Sequence, residues 1–504
     1  DPSFADAHCM PKVLDMPKPY DAESVSMSLD SACIKFMGGY ETVAGEMLEQ
    51  DMELLMDANN LGSIMQFNDD EDYLAMLQYH YDDWTDSGID DCPEEIQALI
   101  PGVELILTLT KKYAALVMNP PYMRAANMND SLHEYVNVNY STAPFDLYSV
   151  FMLKAMDSIK ENGINALIVQ TTWLANYSFG ELREKIVDNF HISSLLHMGR
   201  GNFGNDWGSC AFVLRNGVSD HESIFFKLYE RTFYRIEPEH IAELFLASKQ
   251  NEQLRFDFRN YSSSSFSSNH VDNGRRIVYR CNQNKFKRVE NTPFCYTFND
   301  DIIDIINGDN VGTFYHPTTG LQSGGNDQFV RNWNEVSYNK FHQKWFPYVN
   351  GGNARRWYGN FDCVVNWEND GYEIKHIYNP NGRLKSRPQS QQYYFKEGIT
   401  WNRITSKGVT LRYLPSGCIF DQAGDSMFTI GESNLYTALG YLNTYVAKSF
   451  FDMLAPTINL TAGTIKKIPF KDCNPNIDIV KENISISRQD WDVHETSWDF
   501  VRNE

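Results

Sequence analysis

The chain has 504 residues, 42% of them hydrophobic, and a formal net charge of −22. This length exceeds one ordinary domain and predicts about three. Nine scattered cysteines without a Cys-x-x-Cys pair argue against a zinc site or a disulfide framework. No apolar run approaches the ~18 residues that span a bilayer, and no leader-like segment is present, so we expect a cytoplasmic protein.

The first hundred residues are strongly acidic, with 23 acids against 3 bases, and we expect them to form a solvated or partner-facing surface. The chain opens on Asp1-Pro2-Ser3 without a methionine, which favours a fragment of a longer or split protein. Residues 1–30 have no clear period. We predict a helix, or a helix followed by a strand, over 42–56, helices over 69–81 and 93–112, and a polar, turn-like loop at 57–63.

A short apolar run at residues 114–118 stops at two prolines, which predicts a buried strand. The tetrapeptide Asn119-Pro120-Pro121-Tyr122 follows at its carboxyl end, where open α/β sheets bind ligands. The Asn119 amide oxygen and the Pro120 carbonyl can accept the hydrogens of an exocyclic amino group, and Tyr122 offers a ring for base stacking. The prolines restrict the backbone that carries these acceptors. The alternative is a turn that merely ends a strand.

The next segments alternate between helices and strands. Residues 123–141 are polar and predict a loop, and 145–160 have the period of an amphipathic helix. A strand at 164–170, a helix at 179–189 and a strand at 192–197 then predict an α/β sheet with crossover helices. Residues 199–204 match G-x-G-x-x-G, but 209–215 have a strand pattern where a nucleotide loop needs a helix. We therefore favour a glycine-rich turn between strands over a nucleotide loop.

The second half has a different composition. We predict a helix at 237–250, a serine-rich loop or linker at 261–268, short strands within 311–470 such as 399–404 and 417–422, and helices at 435–442 and 447–454. Residues 311–470 hold 16 bases against 11 acids, and their bases interleave with aromatic residues, as in contacts to phosphates and bases. An ordinary α+β domain with an aromatic core is the alternative. The candidate DNA contacts are Arg355, Arg356, Arg403, Lys466 and Lys467.

Several of these stretches, in this order and spacing, resemble gamma-type N6-adenine DNA methyltransferases with a fused target-recognition domain, most of all those of BREX phage-defence systems. The resemblance runs from about residue 50 to the end. It is carried by residues 57–63, 119–122, 145–148 (Phe-Asp-Leu-Tyr), 163–173, 198–204, 207–212, 457–463, 467–469, 487–491 and 495–500.

The resemblance implies a Rossmann-like α/β methyltransferase domain, incomplete at its amino-terminal side, followed by a mixed α+β target-recognition domain. The implied boundaries are 1–220 for the partial class I domain, 221–310 for a connector, 311–470 for recognition and 471–504 for a tail. The implied reaction transfers a methyl group from S-adenosyl-L-methionine to N6 of an adenine flipped out of double-stranded DNA. The sulfonium is an activated leaving group, so the implied chemistry needs no metal and no covalent enzyme intermediate.

By the same resemblance, Asn119, Pro120, Pro121 and Tyr122 bind the flipped adenine, and Phe203 stacks on its other face. Asp57, beside Ala58, accepts from the amino group of the cofactor adenine, and Asn119 also borders the cofactor. The family's glycine-rich cofactor loop should precede residue 119, and residues 1–118 contain no match in a strand–turn–helix setting. We expect an upstream segment of the same protein to supply it, with other defence-system proteins as further partners. The alternatives are a non-catalytic DNA-recognition component of a defence complex and a nucleotide-binding protein with an accidental motif.

Overall fold

The structure, a computed structural model, describes residues 13–40, 42–86, 88, 91–203, 208–230, 236–404, 408–454, 459–471 and 476–500. The chain divides into two compact units. The first comprises Asp1–Val169, Asp188–Ser193 and Ala211–Ser219, and the second comprises Gln170–Val187, Ser194–Cys210 and Asp220–Glu504. Within the described residues, none of the helices combines the length and apolar character needed to cross a bilayer.

Up to residue 112, the regular elements of the described chain are all helical. They are α1 (Ala22–Val25), α2 (Leu29–Phe36), α3 (Val43–Leu54), α4 (Ala58–Leu61), α5 (Glu71–Asp86) and α6 (Glu94–Thr110). The predicted helices at 42–56 and 69–81 are thus confirmed as α3 and α5. In α6, Ile96, Leu99, Val103 and Ile106 are buried at helical spacing, so one helix fills the predicted range from 93 onward.

The next elements are β1 (Tyr113–Met118), α7 (Asp130–Asn139), α8 (Leu147–Asp157), β2 (Ile159–Gln170), α9 (Gly180–Asn189), β3 (Phe190–Gly199), β4 (Ser209–Asn216) and β5 (Ser223–Lys227). In the first unit β1 and β2 pair in parallel, and α7 and α8 form the connection between them. In the second unit β3 and β5 pair in parallel. Parallel strands joined through helices confirm the predicted α/β class.

The second unit continues with α10 (Pro238–Gln250), β6 (Arg255–Phe256), β7 (Arg275–Arg276), β8 (Val278–Cys281) and α11 (Asp300–Ile306). Strand β8 pairs antiparallel with β5. The predicted helix at 237–250 is confirmed as α10. Since β5 and β8 extend the pairing of β3 past residue 220, this sheet does not end at the predicted boundary, and the domain limits stay predictions.

The remaining elements are α12 (Val311–Phe314), β9 (Tyr315–Thr318), β10 (Leu321–Gln322), α13 (Asn326–Phe329), β11 (Val330–Asn332), β12 (Trp345–Val349), β13 (Cys363–Asn366), α14 (Glu368–Lys375), β14 (Arg387–Pro388), β15 (Gly398–Trp401), β16 (Leu411–Leu414), β17 (Ile419–Phe420), β18 (Ser426–Thr429), α15 (Leu435–Leu442), α16 (Tyr445–Leu454), α17 (Ala462–Lys466) and α18 (Ile477–Asp492). Two four-stranded sheets have the orders β11-β13-β12-β17 and β16-β15-β18-β9. A core that includes Tyr348, Trp367, Phe420 and Trp491 lies against them. The predicted mixed α+β character is confirmed.

Two predicted loops are helical instead. Residues 55–64 form α4 flanked by 3₁₀ turns, because Leu55, Ala58, Leu61 and Ile64 recur every three residues and are all buried. Residues 123–141 contain α7, whose first turn is capped by the Asn129 side chain, which accepts from the Leu132 amide.

The predicted burial of residues 114–118 is wrong. Strand β1 lies at the edge of its sheet, and among the described strands it pairs only with β2. As a result Ala114 and Ala115 are exposed and Val117 is 81% exposed. The apolar run correctly predicted a strand, but burial depends on what covers that strand.

Candidate active site

The tetrapeptide Asn119–Tyr122 leaves the carboxyl end of β1, as predicted. Pro120 is buried, whereas Asn119 and Pro121 are exposed and Tyr122 is 38% exposed. The polar acceptor and the aromatic ring are thus accessible, while one proline anchors the turn.

Tyr122 is held by contacts with two neighbouring elements. Its hydroxyl group donates to the carbonyl oxygen of Ile168 on β2 at 3.2 Å. Its ring meets the ring of Tyr148 on α8 edge-on, with 6.0 Å between centroids and an interplanar angle of 89°. Edge-to-face packing is a favoured geometry for aromatic pairs, so it restrains the orientation of the exposed ring.

Asp57 is connected to the chain that follows the tetrapeptide. Its Oδ2 accepts from Ser131 Oγ at 2.7 Å and from Asn60 Nδ2 at 3.2 Å. Asn129 Nδ2 in turn donates to Asn60 Oδ1 at 2.8 Å. Asp57 therefore has a fixed orientation beside α7, and Ala58, which follows it, is buried.

The described residues suit the adenine end of S-adenosyl-L-methionine better than its other end. A carboxylate such as Asp57 can accept from the amino group of an adenine ring. A glycine-rich loop between a strand and a helix, which the resemblance implies for the rest of this cofactor, is not found among the described residues before Tyr113, which hold helices alone. The described residues thus supply part of a cofactor site.

Phe203 lies in the second unit, on the connection between β3 and β4, and is 53% exposed. Gly199, at the start of this connection, has φ +79°, and a Cβ there would lie 2.6 Å from the Tyr229 side chain. At the other end, the Gly208 carbonyl accepts from the Thr171 amide at 3.1 Å. A strand follows the glycine-rich turn, which confirms the rejection of a nucleotide loop. Gly204 and Trp207 lie outside the described residues, and stacking by Phe203 stays a prediction.

The five candidate DNA contacts differ in accessibility. Arg356 and Lys466 are exposed, and Arg403 is half-buried. Arg355 forms an ion pair with Asp490 and lies over the Trp491 ring. Lys467 pairs with Glu290 at 3.2 Å and lies over the Tyr177 ring.

Much of the aromatic and basic interleaving belongs to the core. Tyr358 and Trp401 are buried, and so is Arg412, which donates through Nη2 to Asn402 Oδ1 at 2.8 Å. Burial lowers the pKa of Arg412 to about 10, with the nearby Arg355 charge acting in the same direction. For these three residues the core interpretation was right.

Asp146 was not among the predicted site residues, although it lies within residues 145–148, one of the stretches that carry the resemblance. Its Oδ1 accepts from the Met123 amide, directly after Tyr122, at 3.0 Å. Burial raises the pKa of its carboxyl group, against the opposing effects of backbone donors and the Arg124 charge. The sequence signal was an aspartate in the first residues of the predicted helix at 145–160, where N-cap residues are frequent.

Residues 41–203 match the family described as Eco57I restriction-modification methylase. The chain is 30% identical over 476 residues to the adenine-specific methyltransferase BrxX of Escherichia coli O9:H4 (strain HS), covering 91% of this chain and 36% of that protein. It is 31% identical over 415 residues to the adenine-specific methyltransferase PglX of Lacticaseibacillus casei (strain Zhang), covering 78% of this chain and 32% of that protein.

Among solved structures, the chain is similar to the type IIL restriction-modification enzyme MmeI in complex with DNA, with a TM-score of 0.47 and 10% identity, covering 91% of this chain and 65% of that one. The sequence matches confirm the predicted resemblance to adenine-specific methyltransferases. The chain spans about a third of the length of the curated relatives it matches.

Proposed function

We propose that this chain, similar over most of its length to adenine-specific methyltransferases, is a segment of a site-specific DNA adenine N6-methyltransferase of a BREX-like or restriction–modification defence system. It would act on double-stranded DNA in the cytoplasm. The observation that carries this proposal is the accessible Asn119 and Tyr122 at the carboxyl end of β1, with the ring of Tyr122 held from two sides.

The adenine amino group is a poor nucleophile because its lone pair is delocalised into the ring. The Asn119 amide oxygen and the Pro120 carbonyl accept its two hydrogens, which favours a tetrahedral nitrogen with an available lone pair. Tyr122 stacks on the flipped base, which must leave the duplex because its amino group is otherwise held in a base pair. S-adenosyl-L-methionine supplies the methyl group on a sulfonium, an activated leaving group. Asp57 orients the adenine of that cofactor by accepting from its amino group.

The region 311–470 would read the DNA site. Arg356, Arg403 and Lys466 are the strongest contacts to propose there, because arginine and lysine suit phosphates and guanine edges. Arg355 and Lys467 could contact DNA only after their ion pairs with Asp490 and Glu290 break.

An upstream segment of the same polypeptide would complete the first unit by covering β1. Parallel sheets are normally covered on both faces, and an open apolar edge strand invites pairing. Val117 on β1 is 81% exposed, and Ile164 on β2, which pairs with Ala115, is 43% exposed. Since the relatives are about three times longer than the part matched here, such a polypeptide has ample chain to supply the cover.

A non-catalytic DNA-recognition component is the second candidate. The all-helical chain before Tyr113, within the described residues, favours it because the glycine-rich cofactor loop is not found there. Cofactor binding separates the two candidates. Calorimetry with S-adenosyl-L-methionine should give weak or no binding to this chain alone and clear binding to the full polypeptide.

The deciding experiment is a genome-wide map of N6-methyladenine in cells with and without the gene. We expect one non-palindromic motif to lose its methylation when the gene is deleted, and to regain it when the full-length gene is restored. If the two maps were identical and the full polypeptide did not bind the cofactor, the protein would be a DNA-recognition component and not an enzyme.

A further inference from the structure

We propose that Asp146 is a positioning residue for the proposed methyl transfer, because its carboxylate fixes the backbone directly after Tyr122 and the helix that carries the neighbouring Tyr148. This inference rests on the proposed function. It adds a specific role for a residue that contacts neither DNA nor cofactor in that proposal.

The first observation is a set of backbone contacts around Met123. Asp146 Oδ1 accepts from the Met123 amide at 3.0 Å, and the Met123 carbonyl accepts from the Leu147 amide at 2.9 Å. Arg124 and Asp146 form an isolated antiparallel bridge, and the Ala125 amide donates to the Phe145 carbonyl at 3.0 Å. The chain that leaves the tetrapeptide is therefore fixed to the segment that begins α8. Asp146 contributes the one side-chain contact among these bonds.

The second observation is that Asp146 is also the N-cap of α8. The same Oδ1 accepts from the Tyr148 amide at 3.5 Å, and the Asp146 carbonyl accepts from Ser149 at 3.0 Å. Tyr148, the second residue of α8, is almost completely buried and packs edge-on against the Tyr122 ring. One carboxylate oxygen thus sets both the backbone next to Tyr122 and the aromatic partner that restrains its ring.

Burial makes this arrangement costly, which points to a specific use. Asp146 is only 6% exposed, and a carboxylate taken out of water is destabilised unless donors surround it. An asparagine provides the same acceptor atom without a charge, and a serine provides an N-cap acceptor on a side chain too short to reach Met123. Asparagine therefore tests whether the charge is needed, and serine separates the capping role from the contact with Met123.

The test uses the full-length polypeptide with Asp146→Asn, Asp146→Ser and Asp146→Ala. Thr42→Ala is the matched control, because it removes the N-cap of α3, where the Thr42 side chain accepts from the Gly45 amide, far along the chain from Tyr122. The readouts are kcat and KM for DNA methylation, DNA affinity, the thermal midpoint, and the fluorescence of 2-aminopurine placed at the target adenine.

We expect Asp146→Asn to keep kcat within about threefold of the wild type. The thermal midpoint of Asp146→Ser should be close to that of Thr42→Ala. Its kcat should nevertheless fall at least 30-fold, with KM and DNA affinity unchanged. The 2-aminopurine signal, which reports a base out of the stack, should persist in both variants. Asp146→Ala should show both the kinetic and the thermal loss.

An Asp146→Ser variant with wild-type kcat would overturn the inference, because capping alone would then account for the residue. An Asp146→Asn variant as slow as Asp146→Ala would overturn it too, because the charge and not the acceptor would matter. A wild-type polypeptide that binds its DNA but never methylates it would instead count against the proposed function.

Discussion

Ser131 Oγ donates a hydrogen bond to Asp57 Oδ2 at 2.7 Å, so the chain after the Asn-Pro-Pro-Tyr turn is tied to the residue expected to bind the cofactor adenine. The two residues are 74 positions apart in sequence. The bond orients the carboxylate from the side of α7, whereas Asn60 reaches the same oxygen from within α4.

Asp57→Ala in the full polypeptide should raise KM for S-adenosyl-L-methionine at least tenfold and leave KM for DNA unchanged. Removing an acceptor for a charged or polar partner typically costs 1–3 kcal/mol, which corresponds to roughly 5- to 150-fold in affinity. Ser131→Ala should raise the same KM only severalfold, and Ser131→Thr, which keeps the hydroxyl group, should restore it. Steady-state methylation at varied cofactor concentration measures all three. Equal effects on the two KM values would contradict a cofactor role for Asp57.

Asn119→Ala should abolish methylation and leave DNA affinity within about twofold, since in the proposed function the amide oxygen acts on the flipped adenine and contributes little to duplex binding. The measurements are the incorporation of tritium-labelled methyl groups into DNA and a DNA-binding titration. Asn137→Ala is the matched control, because Asn137 is an exposed asparagine on α7 that bonds within its own helix. Residual turnover near the wild-type rate would show that the tetrapeptide is only a turn.

Val117→Asp should destabilise the full polypeptide by about 2 kcal/mol if an upstream segment covers β1, because a charge would then be buried. In this chain alone it should have little effect on stability, since Val117 is exposed there. The control is Val138→Asp on α7, where the valine is 73% exposed and no cover is proposed. Urea unfolding of both polypeptides measures the difference. If both variants changed the free energy of unfolding of the full polypeptide equally little, an upstream segment would not cover β1.

Asp425→Asn should stabilise the protein at pH 7.5 and have little effect at pH 4. Burial raises the pKa of the Asp425 carboxyl group to about 6, against the opposing charge of Arg403. An unfolded aspartate titrates near 3.9, so between about pH 4 and pH 6 the folded state binds more protons than the unfolded state. Stability is therefore lost as the pH rises through this window, by up to roughly 3 kcal/mol.

Thermal midpoints of the wild type and Asp425→Asn across pH 4–7.5 test this. We expect the gap between the two proteins to widen as the pH rises to about 6 and to stay constant beyond it. Asp327→Asn, at an exposed aspartate of the same region, should show no such trend. If the difference between the two thermal midpoints narrowed toward neutral pH, the predicted direction of the effect would be wrong.

The sequence predicted regular elements well wherever the period and the caps are local. Residues 435–442 are an example, because the predicted range coincides with α15, which the Asn434 side chain caps. The prediction failed at α4, which is four residues long, and at α7, which carries few apolar residues, so that burial against other elements decides their conformation. A local pattern does not contain that information.

The sequence predicted the chemical groups of the candidate site better than the contacts that position them. Asn119 and Tyr122 follow from a motif, whereas the Asp146 contact with Met123 joins residues 23 positions apart and depends on the tertiary fold. In residues 311–470, composition did not distinguish Arg412, which is buried, from Arg356, which is exposed. The side of a strand or turn that faces the core is set by its partners.

The open edge of β1 also has a consequence for protein quality control. An exposed apolar strand with one unpaired side is a template for any extended peptide, including the same strand of a second molecule. If this chain is made apart from the rest of its polypeptide, we expect it to self-associate through residues 113–118 and to engage chaperones. A cell that produced it in excess of the proposed covering segment would therefore lose it to aggregation or proteolysis, which would keep incomplete copies of the proposed enzyme from accumulating on DNA.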